Sequence, residues 1–162
     1  MKKIGFIGAG NMATAIIKGV MAQNDGKADF INAFDTDNNK CTLMSEMGVS
    51  VCKSGCEVVE NSDITVLAVK PQNYQEVLEK IKPAVNESKT FVSIAAGISI
   101  GYVQSALGCK CPVVRVMPNT PLLLKKEPLH SVRQITSVTR TSRLYIICLQ
   151  EAACVNTYLK SI

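Results

Sequence analysis

The sequence predicts a doubly wound α/β protein with a mostly parallel sheet, and three observations carry that expectation. Short apolar runs alternate with helical stretches from the first residues to about residue 116, the pattern of strand–crossover–strand units. The first run, Ile4-Gly5-Phe6-Ile7, passes straight into Gly8-Ala9-Gly10-Asn11-Met12-Ala13, a G-x-G-x-x-A turn between a strand and a helix. The run Ile64-Thr65-Val66-Leu67-Ala68-Val69 is apolar on both faces, as a central parallel strand covered by helices must be.

The elements follow in order. Residues 3–8 form the first strand, and residues 11–22 a helix on which Met12, Ile16, Ile17 and Val20 share a face. Residues 30–35 make the second strand, followed by a helix from about Asn38 to Met47 and a short third strand from Val49 to Val51. A helical turn leads into the strand at 64–69. Residues 73–82 are helical, 90–94 a fifth strand, about 99–107 a helix and 113–116 a sixth strand. In such a sheet the ligand crevice lies at the carboxyl ends of the strands, where the strand order reverses.

The residues at those carboxyl ends carry the chemistry. Gly8 lets the chain turn tightly out of the strand, Gly10 lets backbone approach a diphosphate, and Ala13 lets the helix pack close. The diphosphate would sit on free N–H groups at the helix N-terminus. Asp35 ends the second strand, 27 residues after Gly8. An acidic side chain there accepts from an adenosine ribose and repels a 2′-phosphate, which predicts a preference for NADH; equally, Asp-Thr-Asp-Asn-Asn is a turn or helix-cap sequence. Lys40 is near enough to reach round. Small residues and a proline recur at three further strand ends, Ala68-Val69-Lys70-Pro71, Ser93-Ile94-Ala95-Ala96-Gly97 and Arg115-Val116-Met117-Pro118-Asn119-Thr120-Pro121. A flat nicotinamide ring needs such close approach.

Composition narrows the classes. The 162 residues are 47% hydrophobic and 19% charged, within the range of one globular domain. No export signal and no window of roughly 18 uninterrupted apolar residues is visible, so a cytoplasmic protein with no membrane partner is expected. Seven cysteines then read as reduced thiols. Cys52/Cys56 and Cys109/Cys111 lack the C-x-x-C spacing of structural zinc sites, and no metal is expected. The net charge of +5 is uneven: residues 1–124 carry 12 basic and 11 acidic side chains, residues 125–162 six and two. The basic tail has scattered charges and no recognisable motif, so no nucleic-acid partner is expected. His130, within it, reads as incidental.

F-I-G-A-G-N-M, A-V-K-P-Q, S-I-A-A-G-I-S-I and R-V-M-P-N-T-P, in this order and spacing, resemble pyrroline-5-carboxylate reductase over residues 1–124. The resemblance implies a Rossmann domain. Ile7, Gly8, Ala9, Gly10, Asn11 and Met12 would hold the diphosphate of NADPH or NADH, with Asp35 by the adenosine ribose. Ala68, Val69, Lys70 and Pro71, with Ile94, Ala95 and Ala96, would flank the nicotinamide. Asn119 and Thr120 are the substrate-side candidates. The implied reaction is hydride transfer to the C=N bond of 1-pyrroline-5-carboxylate, a small-molecule substrate, giving L-proline in a homo-oligomeric enzyme. Gly55 stands where the family often has an Asn that contacts the cofactor.

The resemblance also implies a helical C-terminal domain that builds the dimer and supplies the catalytic residues. After Pro121 this chain departs from it. Residues 125–162 form a basic, glycine-free tail with one apolar cluster, Leu144-Tyr145-Ile146-Ile147-Cys148-Leu149, and read as poorly ordered. With permitted codons, E-P-L-H-S-V-R-Q-I-T-S-V-T-R-T-S-R, read from its third nucleotide, gives A-T-A-L-C-P-A-D-N-V-S-D-E-D-F-E. That acidic string resembles the family's continuation, so a frameshifted, truncated reductase is expected. Two expectations therefore stand side by side: a reductase by descent, and a catalytically inactive dinucleotide-binding module with compromised oligomerisation.

Overall fold

The computed structural model describes residues 2–116. Asn119, Thr120, His130 and the tail at 125–162 lie outside the described residues. The strands are β1 (Ile4–Ile7), β2 (Ile31–Phe34), β3 (Ser50–Val51), β4 (Ile64–Leu67), β5 (Thr90–Ser93) and β6 (Val113–Arg115). The helices are α1 (Asn11–Gln23), α2 (Asn38–Glu46), α3 (Gly55–Glu60), α4 (Tyr74–Ile81) and α5 (Ile100–Leu107). All strand pairs are parallel, in the order β3-β2-β1-β4-β5-β6. The order reverses between β1 and β4, so the crevice expected of a doubly wound sheet opens above these two strands.

Neighbouring residues on each strand point to opposite faces, and both faces are covered. Phe6, Val66, Val92 and Val114 pack with Ala13, Ile17, Val20 and Met44 in one core. Ile7, Leu67, Phe91 and Val113 pack with Val58, Tyr74, Leu78, Ile81, Val103 and Leu107 in the other. All four residues of β4 are buried, which explains its unbroken apolar run. Each fully buried Leu, Ile or Phe contributes about 1.5–3 kcal/mol of transfer free energy, so these two layers supply most of the drive to fold. The expected amphipathic face of α1 is present: Ile16, Ile17 and Val20 are buried and Met12 packs partly against them.

One element is larger than the sequence suggests. The helical turn before β4 is a six-residue helix, α3, held at its start by a reciprocal cap. The Ser54 hydroxyl accepts from Glu57 N–H at 3.2 Å, and the Glu57 carboxylate accepts from Lys53 N–H at 2.6 Å. At its other end the Lys89 ammonium donates to the carbonyls of Glu60 and Ser62, where a cation favours the helix C-terminus. Among the described residues no helix is long and apolar enough to cross a membrane.

Candidate dinucleotide site

The register sets the site. Ile7 pairs with both Phe34 and Leu67, Leu67 with Ser93, and Ser93 with Arg115. Gly8, Asp35, Ala68, Ile94 and Val116 therefore leave the sheet at one level, along one rim.

Gly8 has φ +97°, and a Cβ there would lie 2.6 Å from the Ala68 carbonyl oxygen. The turn out of β1 thus needs glycine on two counts, backbone conformation and the closeness of the β4 strand end. Gly10 differs: its backbone is extended, and nothing lies within 4 Å of where its Cβ would be. Space in front of bare backbone is what a diphosphate needs. The N-terminus of α1 agrees, because no side chain caps it. Three other helices are capped by their own side chains, α2 by Asp37, α3 by Ser54 and α5 by Ser99. A thirteen-residue helix with an uncapped N-terminus behind a glycine loop suits an anion.

Asp35 is turned inward, and its side chain is only 10% exposed. One carboxylate oxygen accepts from Ala9 N–H at 2.7 Å, the other from Asp37 N–H at 2.9 Å, and the Lys40 ammonium stands 3.5 Å away. Burial alone pushes this carboxyl up. The two N–H groups and Lys40 outweigh burial and hold it below the usual aspartate value. Asp35 is thus a turn residue that fastens the end of β2 to the glycine turn, and Asp37, not Asp35, caps α2.

The other sequence-derived positions fall on the same rim. Asn11, Lys70, Pro71 and Ala96 are exposed; Met12, Ala68, Val69 and Ile94 are half-buried. Ile7, Ala9 and Ala95 are buried, so what they offer a ligand is backbone, and the N–H of Ala9 is already taken by Asp35. Gly55 is the first residue of α3, where a Cβ would come within 2.9 Å of Ile81 Cγ2. A side chain at this position therefore requires Ile81 to shift.

Sequence reasoning missed Tyr74. Its phenol is buried beneath the ends of β4 and β5, donating to the Leu67 carbonyl at 2.8 Å with the Ser93 hydroxyl at 3.0 Å. Burial pushes the phenol above its usual value, and Ser93 with the backbone of Ala95 and Ile94 offsets this only in part. The available signal was a tyrosine at a core-facing helix position, since a buried hydroxyl demands a partner.

A six-stranded parallel sheet wound both ways from β1, with a glycine turn and an uncapped helix at the reversal point, defines a Rossmann-type domain. Residues 3–97 match the family model described as NADP oxidoreductase, coenzyme F420-dependent, and the chain belongs to that family. Over 124 residues it is 40% identical to pyrroline-5-carboxylate reductase of Pseudomonas aeruginosa, covering 76% of this chain and 45% of the relative. Among solved structures it is similar to a pyrroline-5-carboxylate reductase from Coxiella burnetii, with TM-score 0.78 and 26% identity over 94% of this chain and 56% of that one. It is also similar to the Plasmodium falciparum pyrroline carboxylate reductase solved with NADP bound, with TM-score 0.71 and 28% identity over 94% and 55%. The chain spans about half the length of the relatives it matches.

Proposed function

We propose that residues 1–124 are the dinucleotide-binding unit of a pyrroline-5-carboxylate reductase, which reduces a cyclic imine to L-proline with NADPH or NADH. The observation that carries this reading is the juxtaposition of open Gly10 backbone with the uncapped N-terminus of α1 at the strand reversal. The 40% identity to a named reductase supports the substrate class. The cofactor supplies the hydride; the protein's part is to bind and orient it. Gly10, Asn11 and Met12 offer backbone to the diphosphate, with Ile7, Gly8 and Ala9 shaping the turn beneath. The loops 68–71 and 94–96 form the nicotinamide side of the crevice. Asn119 and Thr120 are the proposed substrate-side residues, and residues 125–162 a separate tail. An enzyme built on this unit works in the cytoplasm as a homo-oligomer.

Charge at the ribose end favours NADH. A 2′-phosphate there meets two carboxylates, Asp35 and Asp37, against one ammonium, Lys40, which lies 3.5 Å from one and 3.9 Å from the other. The expected preference is about tenfold, or about 1.4 kcal/mol. Tighter binding of NADPH, measured by calorimetry, overturns the role given to Asp35.

The site itself is tested by Gly10→Val. The backbone there is extended and the space open, so the variant folds with a stability change within about 1 kcal/mol, while its branched side chain stands where the diphosphate must approach. Binding of both reduced dinucleotides should be lost. Equal binding by the wild-type chain and the variant refutes the site.

A further inference from the structure

We propose that Tyr74 is a positioning residue for the nicotinamide side of the crevice, acting through the two strand ends and never touching the dinucleotide; this rests on the reading of loops 68–71 and 94–96 given above. β4 and β5 run in register to Leu67 and Ser93, and there the ladder opens. The next bond, from Ile94 N–H to the Leu67 carbonyl, is stretched to 3.5 Å. The phenol of Tyr74 enters this opening from the first turn of α4 and donates to the same carbonyl at 2.8 Å. Its single proton is then committed, so the Ser93 hydroxyl, 3.0 Å away, is the donor to the phenol oxygen. The result is a directed chain, Ser93 O–H to Tyr74 O–H to Leu67 C=O, whose ends are the last residues of two adjacent strands.

Tyr74 and Ser93 are each 1% exposed, so solvent does not stand in for a lost member. The bond also closes the segment from Leu67 to Tyr74 into a ring, and that ring contains Ala68, Val69, Lys70 and Pro71. Ser93 is the residue from which Ile94, Ala95 and Ala96 depart. One hydroxyl therefore fixes the starting points of both loops, and with them the width of the slot between. On the adenosine side the Asp35 carboxylate is held by other groups, the N–H of Ala9 and Asp37 and the Lys40 ammonium, and shares no hydrogen bond with this chain.

That separation gives the test. With the full 162-residue chain, Tyr74→Phe keeps the ring and removes only the hydroxyl. Calorimetry is run with NADH and NADPH, and with the adenosine half alone: ADP-ribose, or its 2′-phosphate where NADPH binds tighter. Tyr74→Phe should weaken the intact dinucleotide roughly five- to tenfold, the scale of one buried hydrogen bond left unmade, and leave the adenosine half within about twofold of wild type. Ser93→Ala, which keeps the phenol, should move the same ratio in the same direction by less. An equal loss for both ligands, or none for either, overturns the proposal, and Ser93→Ala decides in the same way if Tyr74→Phe does not fold. Wild-type chain that binds neither ligand overturns the reading of the crevice, and this proposal with it.

Discussion

At the end of β2 the chain is fastened to the glycine turn by a carboxylate, Asp35 on Ala9 N–H. At the ends of β4 and β5 it is fastened by a phenol, Tyr74 on Leu67 O and Ser93 Oγ. Both fastenings lie just below the rim, and both satisfy groups that the parting strands leave open. Their chemistry differs with what stands above them. The carboxylate is balanced by N–H dipoles and Lys40 in a polar turn, so it stays charged. The phenol sits in an apolar layer among Leu78, Ile81 and Phe91, where only a neutral group is tolerated cheaply. The charged fastening weakens in acid, whereas the neutral one is unchanged across the neutral range.

The largest effect should come from the position where the two regions meet. Gly8→Ala places a Cβ 2.6 Å from the Ala68 carbonyl at φ +97°, so about 3 kcal/mol or more of stability should be lost in chemical denaturation. A loss below about 1 kcal/mol means that the β1 and β4 ends move apart freely, and that the rim is not a fixed frame.

Asp35→Asn sharpens the comparison. It keeps the shape but weakens the charge-assisted bonds to Ala9 and Asp37, costing about 1–3 kcal/mol at neutral pH. The sign with pH follows from the depressed folded value. The charged form is favoured by folding, so its stabilisation is complete above the unfolded value of about 3.9. It is lost as pH falls from there through the lower folded value. The stability gap between wild type and Asp35→Asn should thus narrow below about pH 4, while the gap for Tyr74→Phe stays level across the neutral range. Denaturation curves at several pH values in which both gaps vary alike would remove the distinction between the two fastenings.

The smallest effect belongs to Lys40→Ala. The Lys40 side chain is 41% exposed and its ammonium stands 3.5 Å from Asp35, so less than about 0.5 kcal/mol should be lost, and that should vanish in high salt. A salt-resistant loss above about 1 kcal/mol would make Lys40 part of the fastening itself.

The sheet was legible because its signals are local and periodic. The apolar run of β4 and the glycine turn after β1 each carry their reading within a few letters. The start of α3 had a local signal, the Ser54-x-x-Glu57 spacing of a capping box ahead of Val58-Val59, but its length did not, because the helix is only six residues long and shows no full apolar period. Asp35 was placed at the right strand end with two roles left open. What decides its orientation is a backbone N–H 26 residues earlier, brought within reach only by the pairing of β1 with β2. The partners of Tyr74 were hidden for a similar reason. One of its partners is a main-chain carbonyl, which carries no letter of its own, and the other is a serine 19 residues away. The candidate site was thus readable as a set of strand ends, and the bonds that hold those ends were not.

The register of β1 against β4 also has a consequence in time. Ile4 pairs with Ile64, so the two strands at the middle of the sheet are separated by 60 residues of chain. A ribosome adding roughly 5–20 residues per second needs about 3–12 s to make that stretch. Through that interval the glycine turn, though among the first residues made, lacks the neighbour that gives Gly8 its shape. Each newly made copy therefore carries its apolar first strand without its central partner for seconds, and the order of synthesis, as much as the final contacts, sets when the crevice first exists.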